Sequence, residues 1–403
     1  MRTYITGIII LCVFYISKTS AQRYKNIVFD NVKITPDLVY GENKDVNGND
    51  LTLMLDVYEP ENDTPNIKRP LLVLAHGGSF IQGSRKSTDM VNICTEMAKR
   101  GYVAASIQYR LGVNIFSGNT LEKEFAQAVW RATQDGRAAI RWFKRNAIDT
   151  NTFGIDVDNI FTGGVSAGGV LGLHLAFLDT ETELAQTTID TNAVGGIEGN
   201  SGTPGYNWRV KGVVNLCGAI SNVNFMQNNT NIKICSMHGT NDQTVPYKTN
   251  YFYFFGSPIA LLQGSFSIDS MANKLGMYSD FYTFEGAPHV PFVSSTEYMD
   301  TTLNFVANSL YHQIFGKPTV FVEPKINEHR FDIYPNPVSN ILNIVADAYV
   351  KINELNVLNL NSDLIIKSKG KQNINVEYLP HGNYILQIIT DNGVTYKKFI
   401  KCR

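Results

Sequence analysis

Apolar and polar positions alternate with two different periods along the first three quarters of the chain. Leu51–Pro60 alternates like a half-buried strand, and Pro70–Gly78 is a continuous apolar run, as expected for a parallel strand buried on both faces. Similar strand-like runs follow at residues 102–110, 158–164, 210–218 and 232–240. Helical periodicity lies between them at residues 87–100, at 121–147 as one long helix or two short ones, and at 166–178. This order predicts an α/β fold with a doubly wound, mostly parallel sheet.

The pattern changes near Lys317, after which the chain is rich in lysine and asparagine and shows short alternating β runs separated by turn residues. Residues 331–403 are therefore predicted to form a small all-β sandwich. A linker at 319–330 would join it to an α/β domain at 22–318.

Two segments of the α/β domain are harder to interpret. Asp179–Arg209 is rich in Thr, Asn and Gly and looks like a long loop between two elements, called the excursion below. Long loops in compact domains are often functional lids. Asn250–Phe266 is strongly aromatic. It fits a segment that lines an acyl or aryl pocket or caps the site, and equally a core helix.

The N-terminus has the features of a secretory signal. Arg2 precedes an unbroken apolar run, Ile8–Ile16, and small residues follow at Thr19–Ala21. This pattern predicts a signal peptide at 1–21. The run is short for a membrane span, which needs roughly 20 apolar residues, so an N-terminal anchor is the weaker alternative.

Composition narrows the class of protein. The chain of 403 residues is 44% hydrophobic and 18% charged, with a net charge of −1, which indicates a globular protein without a basic surface for nucleic acid. Cysteines other than Cys12 of the signal are scattered, at Cys94, Cys217, Cys235 and Cys402, without the spacing of a zinc site. A disulfide is permitted in a secreted chain, but no pair is predicted.

Ser166 lies in Gly-Gly-Val-Ser-Ala-Gly-Gly, between a predicted strand and a predicted helix. A serine hydroxyl needs a base to accept its proton and donors to stabilise an oxyanion. A strand–turn–helix elbow exposes such a serine, and Gly164 and Gly168 allow the sharp turn. The alternative is a glycine-rich turn without chemistry.

Three further motifs supply the partners. In His-Gly-Gly-Ser-Phe, backbone N–H groups of Gly77 and Gly78, or of Gly78 and Ser79, can face a substrate oxygen. Asp242 follows a strand closely, where an acid can orient a histidine, and it is preferred to Asp269 and Asp280. His289, in a Gly/Pro-rich loop, is the candidate base, while His76 and His238 fit that role poorly. The order Ser166, Asp242, His289 is that of a nucleophile–acid–histidine set.

Residues 50–315 resemble an α/β-hydrolase of the carboxylesterase and hormone-sensitive lipase type. The resemblance rests on HGGSF, YRLG (Tyr109–Gly112), GGVSAGG and HGTNDQTVPY. It implies that Ser166 is the nucleophile, Asp242 the acid and His289 the base, with oxyanion donors at Gly77, Gly78 and Ala167 and no metal or cofactor. Ser79 departs from the family, which usually has a third glycine there. The charged cluster Arg131, Asp135 and Arg137 is interpreted as structural.

The C-terminal module resembles the type A sorting domain of the type IX secretion system of Bacteroidetes. The resemblance rests on YPNPVSNILNI, LPHGNYILQI and TYKKFIK, while NLNSDL departs from the usual Gly-containing turn. It implies a secretion address that is cleaved on export. The rival is a carbohydrate- or surface-binding sandwich; the module has no tryptophan, and its tyrosines mostly fit strand packing: Tyr334, Tyr349, Tyr378, Tyr384 and Tyr396.

The combined expectation is a secreted serine carboxylic-ester hydrolase that works through an acyl-enzyme. Export by way of the periplasm implies an external substrate, either a polysaccharide acyl ester, a lipid or a polyester. The expected partners are this small or polymeric ester and the type IX machinery, with no nucleic acid and no stable membrane span. The alternatives are a serine peptidase of the prolyl-oligopeptidase type and a non-catalytic binding protein on a hydrolase fold.

Overall fold

The computed structural model describes residues 23–63, 68–316, 331–346, 350–359, 363–391 and 393–402. The chain divides into two compact units, Met1–Lys317 and Pro318–Arg403. The predicted signal peptide at 1–21 and the predicted linker at 319–330 lie outside the described residues. No described helix is both long enough and apolar enough to cross a bilayer.

The first unit contains strands β1 to β11 and helices α1 to α7. The strands are β1 Val32–Lys44, β2 Asp50–Pro60, β3 Arg69–Ala75, β4 Val103–Ile107, β5 Ile155–Val165, β6 Gly212–Leu216, β7 Ala219–Ile220, β8 Lys233–Gly239, β9 Thr249–Phe254, β10 Ser257–Gly264 and β11 Ser279–Phe284. The helices are α1 Thr88–Lys99, α2 Leu121–Asp149, α3 Ala167–Phe177, α4 Glu181–Leu184, α5 Thr191–Val194, α6 Ser265–Lys274 and α7 Thr296–Phe315.

Eight strands form one sheet in the order β1-β2-β4-β3-β5-β6-β8-β11. β1, β2 and β4 pair antiparallel, and every other pair is parallel, which confirms the predicted fold class. Both faces of the sheet are covered, so β3 is apolar and buried from Pro70 to Ala75. Leu71 and Val73 belong to one core cluster, and Leu72 and Leu74 to the other, because successive side chains point to opposite faces.

The long helical pattern folds as one helix, α2, whose start is capped by the Thr120 side chain. On its buried face the Arg137 guanidinium stacks on two indoles, 4.9 Å from Trp130 and 4.0 Å from Trp208. It also donates to the carbonyl of Leu178 at 2.6 Å and to that of Ile197. These contacts fix the excursion at 179–209 to the body of the domain.

The interpretation of Asn250–Phe266 as a core helix is wrong for most of its length. The segment forms the hairpin of β9 and β10, and β10 also pairs with β7. Phe252 and Phe254 pack on Phe125, at 5.3 and 5.1 Å between ring centroids, so aromatic positions with a period of two lie half-buried on one face. Phe255 and Gly256 at the tip both have positive φ, which a two-residue hairpin turn requires.

The second unit has strands in two antiparallel sheets that enclose one apolar core, in agreement with the predicted sandwich. The strands are β12 Phe331–Tyr334, β13 Ile341–Ala346, β14 Ile352–Leu358, β15 Leu364–Lys369, β16 Asn373–Asn375, β17 Gly382–Thr390 and β18 Gly393–Lys401. The sheet orders are β12-β13-β16 and β15-β14-β17-β18.

The expectation that tyrosines of this unit serve packing holds only for Tyr384, whose ring stacks on Phe399. Tyr334, Tyr378 and Tyr396 are exposed. Tyr349 lies outside the described residues. The burial of tyrosines therefore does not distinguish a sorting domain from a surface-binding sandwich.

Asp135 provides a test of the packing around α2. Its buried carboxylate accepts hydrogen bonds from the Arg110 backbone and side chain at 2.8 and 3.0 Å and also from Ser201. Asp135→Ala leaves the Arg110 cation buried without its counter-charge, so the free energy of unfolding should fall by about 3–5 kcal/mol.

Urea unfolding of the full chain measures this effect. All three tryptophans, Trp130, Trp142 and Trp208, lie in the first unit, so their fluorescence follows that unit alone. Asp149→Ala is the matched control, because the Arg145–Asp149 pair is exposed and its loss should change stability by about 0.5 kcal/mol or less. Equal effects of the two variants would contradict a structural role for the buried pair.

Candidate active site

Ser166 lies in a sharp turn between β5 and α3, with φ 55° and ψ −114°. This conformation is strained for a residue other than glycine and persists because its surroundings hold it. The Ser166 N–H donates to the carbonyl of Leu216 at 2.8 Å. The turn also passes the end of β3 so closely that a Cβ on Gly164 or on Gly168 would lie 2.0 or 1.9 Å from the Ala75 carbonyl oxygen. Both positions therefore require glycine.

The structure brings Ser166, His289 and Asp242 into one row. His289 Nε2 lies 2.9 Å from Ser166 Oγ, and His289 Nδ1 lies 2.6 Å from Asp242 Oδ2. The carboxylate can only accept, so Nδ1 carries the proton and Nε2 is free to accept from the hydroxyl. The three residues follow β5, β8 and β11, whose carboxyl ends meet at one edge of the sheet.

The rival acids lie elsewhere. Asp269 is on α6 and accepts from the Ser279 hydroxyl at 2.6 Å, and Asp280 accepts from Tyr278 at 2.7 Å. Backbone contacts instead tie the Asp242 loop to the His289 loop: the Asn241 N–H donates to the Ala287 carbonyl at 3.0 Å.

The Asp242 carboxylate is buried and fully hydrogen bonded. Its Oδ1 accepts from the backbone N–H groups of Thr244 and Val245 at 2.8 and 2.9 Å, while Oδ2 accepts from His289 and from His238 at 3.0 Å. Burial alone would raise the pKa of Asp242, but the hydrogen bonds from His238 and His289 outweigh it and hold the pKa well below its usual range. The group is therefore a carboxylate at neutral pH.

The segment after β3 lies next to Ser166. A Cβ on Gly77 would lie 3.3 Å from Ser166 Cβ, and Ser79 and Ala167 line the cavity beside Ser166. Gly78 has φ +117°, and Ser79 has φ +54°, so the serine occupies the left-handed region that the family's third glycine would adopt without strain.

Tyr109 of the YRLG motif shapes this segment, a role that the motif alone did not reveal. Its hydroxyl donates to the His76 carbonyl at 2.9 Å, and its ring stacks on the His76 imidazole at 4.4 Å. His76 Nδ1 in turn donates to the Gly77 carbonyl at 2.7 Å. Burial lowers the pKa of His76. His76 thus braces the turn, and its Nδ1 is engaged with the Gly77 carbonyl and not with Ser166.

A cavity of about 290 Å³ opens beside Ser166 and is mainly apolar. The hairpin of β9 and β10 supplies part of its wall, and residues 186–189 of the excursion supply another part. The apolar side chains come from several separate segments and include Phe125, Val129, Val170, Phe225, Phe252 and Leu262. No local pattern could identify this set, because long-range packing assembles it; only the aromatic run at 250–266 pointed to it.

The four cysteines of the described residues are free thiols, and three of them are buried. Cys217 lies beside the row, with its ligand atom and those of Asp242 and His289 within 4.8 Å of one another. Sequence spacing did not indicate this neighbourhood because the three residues come from different loops. Burial raises the pKa of Cys217 to about 12, so the thiol is protonated, and an ion here would displace the proton between His289 and Asp242.

One family model matches part of each unit. Residues 55–233 match the BD-FAE family, and residues 332–402 match the secretion system C-terminal sorting domain.

Two carboxylesterases and a lipase are similar to part of the chain. Carboxylesterase 1C of Rattus norvegicus is 34% identical over 119 residues, which are 29% of this chain and 20% of the relative. Probable carboxylesterase 8 of Arabidopsis thaliana is 30% identical over 137 residues, 33% of this chain and 40% of the relative. Lipase 1 of Geotrichum candidum is 31% identical over 150 residues, 35% of this chain and 26% of the relative. The chain thus spans less than half the length of these relatives.

Among solved structures, the apo form of Thermogutta terrifontis esterase 2 aligns with a TM-score of 0.47 and 21% identity, over 73% of this chain and 98% of that one. The two family matches and the eight-stranded sheet agree with the resemblance drawn from the motifs. Residues 55–233 are therefore similar to the BD-FAE family within a fold of the α/β-hydrolase class, and residues 332–402 are similar to the secretion system C-terminal sorting domain.

Proposed function

We propose that this chain is a secreted serine carboxylic-ester hydrolase in which Ser166, His289 and Asp242 form a catalytic triad. The observation that carries the proposal is the unbroken row of hydrogen bonds from Ser166 Oγ through His289 to Asp242 Oδ2. It supports nucleophilic catalysis because a neutral imidazole already faces the hydroxyl, and an ionised carboxylate holds the other ring nitrogen.

In the first half-reaction, Ser166 Oγ attacks the ester carbonyl carbon while its proton passes to His289 Nε2. The N–H groups of Gly77, Gly78 and Ala167 stabilise the oxyanion. Asp242 stabilises the imidazolium. The C–O bond to the alcohol then breaks, the alkoxide takes the proton from His289, and the acyl group stays on Ser166.

In the second half-reaction, water gives a proton to His289 and attacks the acyl carbon. The tetrahedral intermediate collapses to a free carboxylic acid, and Ser166 Oγ regains its proton. Every proton moves through this chain's own residues, so the proposed cycle requires no cofactor.

The cavity beside Ser166 suits the acyl group. Its apolar wall favours a hydrocarbon or aryl group, and about 290 Å³ is at the small end of the usual range for ligand sites, roughly 300–1,000 Å³. We therefore expect esters of short acyl groups to be better substrates than long-chain lipids. A polysaccharide acyl ester, a lipid or a polyester outside the cell remains the proposed class.

The C-terminal unit supports export. We propose that the sorting domain directs the chain through the type IX machinery to the cell surface or the extracellular space, by way of the periplasm. The carboxylesterase and lipase names of the relatives favour an ester hydrolase over a peptidase or a non-catalytic binding protein.

Ser166→Ala tests the nucleophile. The full chain and the variant are assayed on p-nitrophenyl esters from acetate to palmitate and on a prolyl-peptide anilide. If the triad acts as a unit, kcat should fall on the order of 10⁶ in the variant. The wild type should prefer the short esters and leave the anilide intact. Cleavage of the anilide alone would favour the peptidase alternative, and equal ester turnover by wild type and variant would contradict the proposed role of Ser166.

Asp242→Asn tests the acid. It should lower kcat by about 10⁴, because the amide no longer fixes the imidazole tautomer or stabilises the imidazolium. The same carboxylate has a lower pKa folded than unfolded, where it is about 3.9. It therefore stabilises the fold above pH 4, and this contribution is lost as the pH falls towards the folded pKa.

Tryptophan fluorescence during urea unfolding between pH 2 and 6 measures the second effect. The free energy of unfolding of Asp242→Asn should fall less steeply below pH 4 than that of the wild type. Identical slopes would mean that Asp242 does not titrate with the depressed pKa.

Truncation after residue 330 tests the sorting domain. In a bacterium with a type IX system, the truncated chain should keep its specific ester-hydrolysing activity but remain in the periplasm. A reporter fused to residues 319–403 should in turn be exported. Export of the truncated chain, or retention of the fusion, would contradict the assignment of a secretion address.

A further inference from the structure

His238, which the proposed mechanism does not use, is a second histidine on Asp242. It lies in β8 with no solvent exposure, and both ring nitrogens are hydrogen bonded. Nε2 lies 3.0 Å from Asp242 Oδ2 and 3.1 Å from the Val245 carbonyl oxygen, and Nδ1 lies 2.8 Å from Ser265 Oγ. Asp242 Oδ2 therefore lies between two imidazoles, one on the nucleophile and one in the core.

The direction of these hydrogen bonds follows from one backbone group. The Gly218 N–H donates to Asn215 Oδ1 at 2.9 Å, which fixes the orientation of that amide. Asn215 Nδ2 must then donate, to Ser265 Oγ at 3.0 Å, so the Ser265 hydroxyl is free to donate to His238 Nδ1. His238 Nδ1 therefore accepts a hydrogen bond, and the single proton of the imidazole is on Nε2. This nitrogen faces two acceptors, Asp242 Oδ2 and the Val245 carbonyl oxygen.

The result is a series of hydrogen bonds, each donated to the next residue, from Gly218 through Asn215, Ser265 and His238 to Asp242. The four side chains in this donor chain are buried. Two backbone N–H groups hold Oδ1 of the carboxylate. The rotation of the carboxylate about its Cβ–Cγ bond is then determined by the hydrogen bonds of the two histidines to Oδ2. His238 is attached to the rigid sheet, whereas His289 is on a loop with partial exposure. The fixed imidazole thus directs Oδ2 towards the loop histidine.

We propose that His238 is a positioning residue that orients Asp242 for His289, and that Ser265 and Asn215 set its tautomer. The proposal rests on the proposed function of Ser166, His289 and Asp242. A purely structural His238 would fill the core and satisfy its own nitrogens, with no effect of its tautomer on turnover. The depressed pKa of Asp242, to which the His238 hydrogen bond contributes, agrees with the positioning role.

Three variants of the full chain test this proposal on p-nitrophenyl butyrate. His238→Phe removes the donor and keeps the ring. Asn215→Asp places an acceptor opposite Ser265, which turns the hydroxyl away from His238. Each should lower kcat about 10- to 100-fold with KM changed by less than about threefold, because substrate binding is untouched. The double variant should be no slower than His238→Phe alone, since both changes break one chain.

Ser265→Ala tests the hydroxyl that faces His238, and Ser106→Ala is its matched control. Both hydroxyls are fully buried, but Ser106 donates to the Arg85 carbonyl, far along the chain from the row. Ser265→Ala should lower kcat, and Ser106→Ala should leave it unchanged. Near-UV circular dichroism of each variant shows whether the fold is retained.

Histidine ¹⁵N labelling supplies a readout that does not depend on activity. In the wild type, the ¹⁵N chemical shifts of His238 should be those of the Nε2–H tautomer. In Asn215→Asp these chemical shifts should change. A wild-type Nδ1–H tautomer, unchanged kcat in folded His238→Phe, or additive losses in the double variant would overturn the proposal. If Ser166→Ala retained full turnover, the proposed function itself would fail, while the tautomer measurement would still stand as a test of the donor chain.

Discussion

The close approach of the Ala75 carbonyl to the turn around Ser166 is the contact on which the site depends. β3 and β5 are neighbours in the sheet, and α3 begins directly after the turn, so Gly164 and Gly168 both pass the same oxygen. Any side chain at either position would push α3 away from β3. The same contact places the segment that follows Ala75 beside Ser166. One backbone approach thus brings together Ser166 and the groups proposed to stabilise the oxyanion.

A similar approach governs the other half of the site. A Cβ on Gly239 would lie 2.3 Å from the Ala287 carbonyl oxygen, so a glycine at the end of β8 allows the His289 loop to fold over the Asp242 loop. Asp242 is then removed from water. A buried carboxylate is costly unless donors surround it, and here two backbone N–H groups and two imidazoles do so. The polar residues behind Asp242 and the hydrogen bond from His289 therefore meet the same requirement, which is to supply donors to a buried carboxylate.

The sequence predicted the sheet, the helical period at 121–147 and the three residues of the row because each has a local signature: an apolar run, a helical period, or a polar residue in a turn at a strand end. It left open whether 121–147 forms one helix or two. It could not predict the wall of the acyl cavity, since Phe125, Val170 and Phe225 belong to distant segments. The aromatic segment at 250–266 was ambiguous because each aromatic side chain suits a buried helix as well as one face of a hairpin. Cys217 reaches Asp242 only through tertiary folding, whereas His238 is four residues from Asp242 and contacts it across the turn after β8.

Ser79 shows that the backbone conformation of the segment after β3 is fixed while the residue type can vary. A left-handed backbone costs a non-glycine residue about 1–2 kcal/mol, yet Ser79 and Phe80 both adopt it. The surrounding contacts must therefore impose the turn: Tyr109 holds the His76 carbonyl, and a Cβ on Gly83 would lie 2.3 Å from His76 Nδ1. Since a side chain does not remove a backbone N–H, serine can stand where the resemblance leads one to expect a third glycine while every backbone N–H of the segment is kept.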